Sequence, residues 1–292
     1  MSNITRKSFL VGSLSFVIVL FTMPLGHALM ILMEHFLTRQ QLYYSALGMG
    51  AIGLILTILG MFINGDTRQT LAGLFGSLLF WTGWIEFTYV YFAHRLGVQP
   101  QIDAMGNIIT KPEYLMLPSS VGFWVIFMLL YLFSIKSGCS FFTYLQKIFF
   151  RKSKTRFEVR PIAHNASIVT FIEMNTILWT SYLLLMFAYD DHFLGDRHPV
   201  TIGIAIACLI SSIFMMVHLL KISSWGYAIR YAIPTVIVFW TFIEVLGRHD
   251  VFKEIWVHPL DYKMEMFGIL IALVVTVVGL LIKSSHKKRH EN

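Results

Sequence analysis

The feature that most constrains this chain is a series of eight long apolar stretches separated by short polar segments. A helix needs about 20 mostly apolar residues to cross a bilayer. No stretch alternates polar and apolar residues with a period of two, which argues against an outer-membrane barrel. We therefore predict an all-α, polytopic membrane helix bundle with eight transmembrane helices. The predicted spans cover residues 9–33, 43–64, 70–93, 119–136, 166–188, 200–220, 228–247 and 265–283.

The composition excludes several other classes of protein. Of the 292 residues, 56% are hydrophobic and 13% are charged, whereas soluble domains are roughly half apolar and about a quarter charged. These proportions rule out a disordered chain and an ordinary soluble globule. The net charge is +7, but the excess lysines and arginines lie between apolar spans. Because membrane topology explains such charges, we expect no nucleic-acid partner.

The positive charges also indicate the orientation in the membrane. With the N-terminus inside, the inner segments hold 16 of the 23 lysines and arginines. The positive-inside rule therefore predicts that both termini are cytoplasmic. The first apolar run follows two basic residues and resembles a secretory signal, but it continues to Met33, so we expect it to remain as the first span. The short loops favour a bacterial inner membrane.

Short sequence matches at a nearly constant offset indicate an internal repeat. The sequence FWT occurs at residues 80–82 and again at residues 239–241, an offset of 159. EHFL at residues 34–37 corresponds to DHFL at residues 191–194, an offset of 157. The matches follow one order along the two halves of the chain. The alternative explanation is an accidental similarity between apolar helices.

The repeat defines the expected domain organisation. Residues 1–136 form the first four-helix repeat, residues 137–160 form a basic cytoplasmic linker, and residues 161–292 form the second four-helix repeat. Because each half contains an even number of spans, both halves have the same orientation. We therefore predict a 4+4 parallel internal repeat, with the halves related by an axis along the membrane normal.

Ionisable residues are concentrated on the outer side of this predicted topology. Twelve of the 16 acidic residues and seven of the 11 histidines belong there, and the positive-inside rule accounts for neither group. Glu86 precedes His94 by eight residues, which places it about 12 Å deeper along a helix. His27 has the same relation to His35. Because an ionisable group facing lipid costs a few kcal/mol, we expect the deep side chains to face the bundle interior.

The mixture of imidazole and carboxylate groups is typical of zinc, iron, manganese and copper sites. We predict a metal site at the outer face that holds copper, iron or zinc, with haem as an alternative cofactor. The predicted metal ligands are His27, Glu34, His35, His94, Asp191, His192 and His249. Glu86 and Glu244 are the predicted catalytic acids. The sequence contains no HExxH motif and no closely spaced ligand trio, so a proton relay or buried salt bridges remain open alternatives.

Three functions are compatible with these patterns. The first is a metal-dependent membrane oxidoreductase with its site at the periplasmic face. The second is a proton- or cation-coupled transporter or channel. This function requires polar residues through the full depth of the membrane, and only Glu173, Asn175 and His218 extend toward the cytoplasmic side. The third is a non-catalytic subunit of a larger membrane complex. The lipid bilayer is the expected partner, and other membrane subunits or a homo-oligomer are open.

Overall fold

The computed structural model describes residues 4–102, 106, 108–134 and 165–290, and most of them are helical. A π-helical segment covers Trp81–Glu86, and a 3-10 turn covers Leu117–Ser120. Strands β1 (Gln101–Ile102) and β2 (Ile108–Thr110) form an antiparallel hairpin. The helices are α1 (Arg6–Phe36), α2 (Arg39–Gly60), α3 (Asp66–Phe80), α4 (Phe87–Leu96), α5 (Pro112–Met116), α6 (Val121–Ser134), α7 (Ala166–Tyr189), α8 (Pro199–Leu219), α9 (Trp225–Arg248) and α10 (Lys263–His290).

Within the described residues, seven helical stretches are long and apolar enough to cross a membrane. They are Arg6–Phe36, Arg39–Gly60, Pro112–Leu129, Ala166–Tyr189, Pro199–Leu219, Trp225–Arg248 and Lys263–Ile282. The predictions of an all-helical fold and of a multi-pass membrane protein are therefore confirmed.

The third predicted span, residues 70–93, is the one without a counterpart among these seven, and it falls on α3, the π-helical segment and α4. These three follow one another without interruption over residues 66–96, but none of them reaches the length of a span by itself. The predicted basic linker at residues 137–160 lies outside the described residues.

Local sequence signals account for several helix ends. The Thr5 hydroxyl accepts a hydrogen bond from the backbone amide of Ser8, and the Ser8 hydroxyl accepts one from the amide of Thr5. This reciprocal capping box satisfies two amides at the start of α1. The Asn165 side chain caps α7 in a similar way. At the end of α4, Gly97 adopts φ = +66°, a left-handed conformation that glycine reaches without steric cost.

Four helices form the centre of the bundle. Helices α3, α7 and α9 pack against one another, and α1 packs against α9. Their contact faces bury Ile18, Leu74, Met174 and Ile233 completely. Helices α2, α6, α8 and α10 pack at the periphery and expose many large apolar side chains. This is the arrangement expected where lipid surrounds the outer helices and the central helices hold the polar groups.

Small residues allow α2 to approach α3 and the π-helical segment closely. A Cβ atom added at Gly83 would lie 2.4 Å from the backbone nitrogen of Gly50, and one added at Gly76 would lie 2.7 Å from the carbonyl oxygen of Gly53. Only glycine permits these approaches. Close backbone packing of this kind is a common means of holding membrane helices together.

Candidate functional site

The described helices have two distinguishable ends, which we name by their residues. The hairpin end contains the β1–β2 hairpin and the C-termini of α1, α4, α7 and α9. The opposite end contains Asp66 at the start of α3 and Arg230 near the start of α9. Hydrogen bonds from Arg248 to Ile109 and Thr110 fix the end of α9 against the hairpin.

His27 occupies a position between helices at the hairpin end. Its Nε2 atom lies 3.6 Å from Glu244 Oε1, which brings α1 and α9 together. Trp240, one turn earlier on α9, donates a hydrogen bond of 2.6 Å to the same carboxylate oxygen. Because Trp240 is a neutral donor, it orients Glu244 without fixing its charge.

Glu86 is the second deep carboxylate of the site. It is the last residue of the π-helical segment and is only 8% exposed. Tyr114 of α5 donates a hydrogen bond of 3.0 Å to Glu86 Oε1. His27 and Glu86 are close enough to interact electrostatically. Of the two deep carboxylates, only that of Glu244 lies within 4 Å of the imidazole, and Glu86 acts on it through space without a direct contact.

A stack of three aromatic rings supports these groups. The ring of Tyr182 lies between Trp81, at a centroid distance of 5.5 Å, and Tyr114, at 5.8 Å. Its hydroxyl oxygen is 3.5 Å from His27 Nε2. Each stacked pair contributes roughly 0.5–1.5 kcal/mol beyond burial. The stack therefore holds two phenol hydroxyls next to Glu86 and His27.

A cleft lies beside Glu86. It has a volume of about 240 Å³ including its open mouth, and Glu86, Glu113, Tyr114, Tyr182 and Leu117 are among the residues that line it. Its enclosed part has room for about one water molecule. The surface of the cleft is almost entirely apolar, so Glu86 and Glu113 border it mainly with the carbon atoms of their side chains.

The segment after α9 covers the site from one side. Trp256 packs against Trp240 and the buried Ala28, next to His27. Glu254 lies over Gly247, where an added Cβ atom would come within 2.4 Å of its carboxylate. Burial raises the pKa of Glu254 to about 7; the charges of Glu244 and Asp250 add to the rise, and that of Arg248 opposes it.

The structure separates the predicted site residues into two groups. His27, Glu86 and Glu244 come together in the interior, as their predicted depth requires. The other predicted ligands of the first half lie apart from them. Glu34 accepts a hydrogen bond of 3.1 Å from Lys111. His35 is exposed, as is His94, which contacts Arg39.

The predicted ligands of the second half are also dispersed. Asp191 and His192 are exposed in the loop between α7 and α8, where His192 contacts Asp190. His249 is partly buried at the end of α9. Among the described residues, no group of three or more His, Cys, Asp or Glu side chains is arranged to hold a metal ion. The groups that do come near one another are one imidazole, two carboxylates and two phenol hydroxyls.

Polar side chains continue from the site into the bundle. Ser181 of α7 and Thr241 of α9 share a hydrogen bond of 2.7 Å. Further along, Asn175 of α7 donates a hydrogen bond of 2.8 Å to Ser77 of α3. Glu173, 1% exposed, lies at a similar depth on α7. Ser77, Asn175, Ser181 and Thr241 lie at the mutual interfaces of α3, α7 and α9.

The opposite end carries an ion pair. Arg230 donates a hydrogen bond of 2.8 Å to Asp66 Oδ1 and another to the Thr70 hydroxyl. Gly226 permits this approach, because a Cβ atom there would lie 1.9 Å from Asp66 Oδ2. We name the inner polar residues the polar column. They are Asp66, Thr70, Ser77, Glu173, Asn175, Ser181, Arg230 and Thr241.

Several residues of the site were not predicted from the sequence. Tyr114 and Glu113 carried a signal, because residues 113–116 match residues 261–264 as an acid-Tyr-x-Met pattern. No sequence signal indicated Tyr182, since a tyrosine within an apolar span resembles an ordinary core residue. Lys111 follows the hairpin, and its contact with Glu34 depends on the tertiary fold.

Comparison with known proteins adds no further constraint. No protein-family model, curated protein or solved structure matches this chain.

Proposed function

We propose that this protein translocates protons across the membrane, with His27, Glu86 and Glu244 as its proton-exchange site. The observation that carries the proposal is the polar column, whose side chains lie at successive levels between the site at the hairpin end and the ion pair at the opposite end, in separate hydrogen-bonded groups. Asp66 and Glu86 are 20 residues apart along one uninterrupted helical stretch. At 1.5 Å per residue this is about 30 Å, the thickness of the hydrocarbon core.

The chemistry of the site supports proton exchange. Imidazole gains and loses a proton in the physiological pH range, and carboxylates close to it can accept that proton. A proton on Glu86 passes to His27, and from His27 Nε2 to Glu244 across a separation of 3.6 Å. Tyr114 and Trp240 are neutral donors to the two carboxylates. They therefore stabilise the charged forms without supplying a permanent countercharge.

The side chains of the polar column provide the proton route from the site toward the opposite end. The hydroxyls of Ser181 and Thr241 lie next on the path from Glu244, followed by the level of Glu173 and Asn175. Ionisable residues inside membrane helices are typical of proton relays in pumps and transporters. Their placement at the interfaces of the central helices supports a path that is shielded from lipid.

The proposal includes the finer architecture predicted from the sequence. Residues 70–93 form a span in addition to the seven apolar helices, both termini are cytoplasmic, and the hairpin end faces the periplasm of a bacterial inner membrane. The 4+4 repeat is supported by packing, because α1 contacts α9 as α7 contacts α3, and α2 contacts α3 as α8 contacts α9. Under this repeat Glu86 and Glu244 are equivalent, and His27 belongs to the first half alone.

The metal-dependent oxidoreductase and the complex subunit remain predictions from the sequence. Donors of the right type for a metal are present at His27 and Glu244, but the described residues supply no third ligand. Elemental analysis of the purified protein decides whether a metal is bound. A stoichiometric metal that is lost in His27→Gln would support the metal site over proton translocation.

Reconstitution into liposomes tests the proposed function. Protein-containing and protein-free liposomes are loaded with a fluorescent pH indicator, and a potassium gradient with valinomycin imposes a membrane potential. We expect the wild type to admit protons faster than protein-free liposomes, and His27→Gln to be at least ~10-fold slower than the wild type. Glu265→Gln is the matched control, since it neutralises an exposed acid at the start of α10 and should conduct like the wild type. A wild type no faster than empty liposomes would overturn the proposal.

A further inference from the structure

We propose that the phenol hydroxyls of Tyr114 and Tyr182 carry protons between Glu86 and His27. This inference rests on the proposed function and names the side chains that connect two members of its proton-exchange site. Glu86 and His27 are not in direct contact, since only Glu244 lies within 4 Å of the imidazole. A proton that moves between Glu86 and His27 therefore needs intermediate carriers, and we name the two hydroxyls the phenol relay.

The phenol relay is a continuous series of contacts between these two groups. The Tyr114 hydroxyl donates a hydrogen bond of 3.0 Å to Glu86 Oε1. The side chains of Tyr114 and Tyr182 are within hydrogen-bonding reach of each other, and their stacked rings are nearly parallel, with 8° between the planes. The Tyr182 hydroxyl oxygen lies 3.5 Å from His27 Nε2. Each step from Glu86 to His27 thus joins two side chains of the protein directly.

The π-helical segment presents Glu86 to the phenol relay. In the sequence repeat Trp81 corresponds to Trp240, but Glu86 follows Trp81 by five residues whereas Glu244 follows Trp240 by four. Four residues are about one turn of an α-helix, and Trp240 accordingly donates to Glu244. The additional residue of the first half lies in the π-helical segment, where Glu86 accepts from Tyr114 instead. Single π-helical turns inside α-helices are frequent at functional sites.

Phenol hydroxyls are suited to this transfer because each one both donates and accepts hydrogen bonds. The O–H bond of protonated Glu86 breaks and its proton binds the Tyr114 oxygen; the Tyr114 proton passes to the Tyr182 oxygen, and the Tyr182 proton to His27 Nε2. Both phenols are unchanged, Glu86 becomes a carboxylate and His27 an imidazolium. The proton on Nε2 then passes to Glu244 Oε1, 3.6 Å away. Rotation of the two hydroxyls about their C–O bonds restores the starting arrangement.

Proton flux into liposomes tests the phenol relay with Tyr114→Phe and Tyr182→Phe, which each delete one hydroxyl and retain the stacked ring. Each substitution should slow the flux at least ~10-fold. Because the two hydroxyls act in series, the double variant should be no slower than the slower single variant. Tyr89→Phe is the matched control, since Tyr89 also borders the cleft beside Glu86 but is not part of the relay. It should conduct like the wild type.

Stability measurements distinguish the phenol relay from a merely structural role of the two tyrosines. Thermal unfolding followed by tryptophan fluorescence shows which variants are folded and how stable they are. If the hydroxyls only held Glu86 and His27 in position, the loss of flux would follow the loss of stability and would be larger in the double variant. The relay predicts a large loss of flux in a folded Tyr182→Phe variant, and no additional loss when Tyr114→Phe is combined with it.

The outcomes separate the phenol relay from the proposed function. If the wild type conducts no protons, the proposed function fails. If the wild type conducts and Glu86→Gln does not, while a folded Tyr114→Phe or Tyr182→Phe variant conducts at the wild-type rate, the function stands and the relay is overturned. A double variant much slower than either single variant, or an equal loss in Tyr89→Phe, also overturns it. If one single variant does not fold, the flux of the other decides.

Discussion

The carboxylates at the two ends of the bundle have different hydrogen-bond donors. At the opposite end, Asp66 accepts a hydrogen bond of 2.8 Å from Arg230. At the hairpin end, Glu86 and Glu244 accept hydrogen bonds from Tyr114 and Trp240, which carry no charge, and Glu244 lies 3.6 Å from the imidazole of His27. The direct hydrogen-bond donor is therefore a permanent cation at Asp66 and a neutral side chain at Glu86 and Glu244.

Under the proposed function, this difference assigns proton exchange to the hairpin end. A guanidinium remains charged at every physiological pH, so Asp66 always has a positive charge beside it. An imidazole changes its charge near neutral pH, and the acids beside it can exchange protons with it. Asp66 with its guanidinium partner and Glu86 with its neutral donor are thus separated by about the thickness of the hydrocarbon core.

The largest effect on stability is expected at Gly83, which lies in the π-helical segment between the two ends. Gly83→Ala places a Cβ atom 2.4 Å from the backbone of Gly50, so α2 and the segment must separate. Overpacking of this kind costs about 2 kcal/mol. Because Glu86 ends the same segment, the proton flux should fall as well, while the ion pair at the opposite end is retained. The unfolding free energy is measured in detergent by tryptophan fluorescence.

Gly48→Ala is the matched control on α2. No atom lies within 4 Å of a Cβ added there, and alanine is the better helix former by up to about 1 kcal/mol. This variant should be at least as stable as the wild type. Equal stability of the Gly83 and Gly48 variants would contradict the close packing of α2 against the π-helical segment.

A smaller effect is expected at the opposite end. Arg230→Met removes the hydrogen bonds to Asp66 and Thr70 and should lower the unfolding free energy by about 1 kcal/mol, because Asp66 is half exposed. The same fluorescence measurement detects it. Arg197→Met, in the exposed loop after α7, is the control and should leave stability unchanged.

A substitution of the Glu244 carboxylate at the hairpin end should have a different effect on stability. Glu244→Gln removes a charge but retains an oxygen that accepts from Trp240, so stability should be unchanged or higher. A destabilisation as large as that of Arg230→Met would mean that the two ends hold their carboxylates alike. The contrast drawn between them would then be wrong.

The smallest effect is the pH dependence that Glu254 contributes. Its pKa is about 7 in the folded protein and near 4.5 ordinarily. Between these values the folded state binds more protons than the unfolded state, so this group lowers the stability as the pH rises. Glu254→Gln should reduce that decline, and thermal unfolding at pH values just above 4.5 and just above 7 measures it. Glu265→Gln should leave the slope as in the wild type; an unchanged slope in Glu254→Gln would contradict the raised pKa.

The sequence predicted the fold well because lipid imposes a simple rule on it. Apolar stretches of sufficient length must form helices, and seven of the predicted spans fall on such helices. The π-helical segment was not predicted, because it depends on how Gly83 packs against α2 rather than on an apolar pattern. The sequence could also not show that α1, α3, α7 and α9 form the centre.

For the site, depth predicted more than residue type did. His27, Glu86 and Glu244 were singled out because a buried ionisable group needs a polar partner, and they do converge. Glu34 was expected beside them on grounds of residue type, but Lys111 holds it at the surface. Contacts of this kind depend on the chain after the hairpin, and the local sequence carries no sign of them.

The most direct test of the central claim is the initial rate of potential-driven proton entry into liposomes at equal protein density. We predict that the wild type exceeds protein-free liposomes and that Glu86→Gln, folded and inserted like the wild type, is at least ~10-fold slower. A wild type that admits no more protons than lipid alone, or a Glu86→Gln variant that conducts at the wild-type rate, would contradict the account.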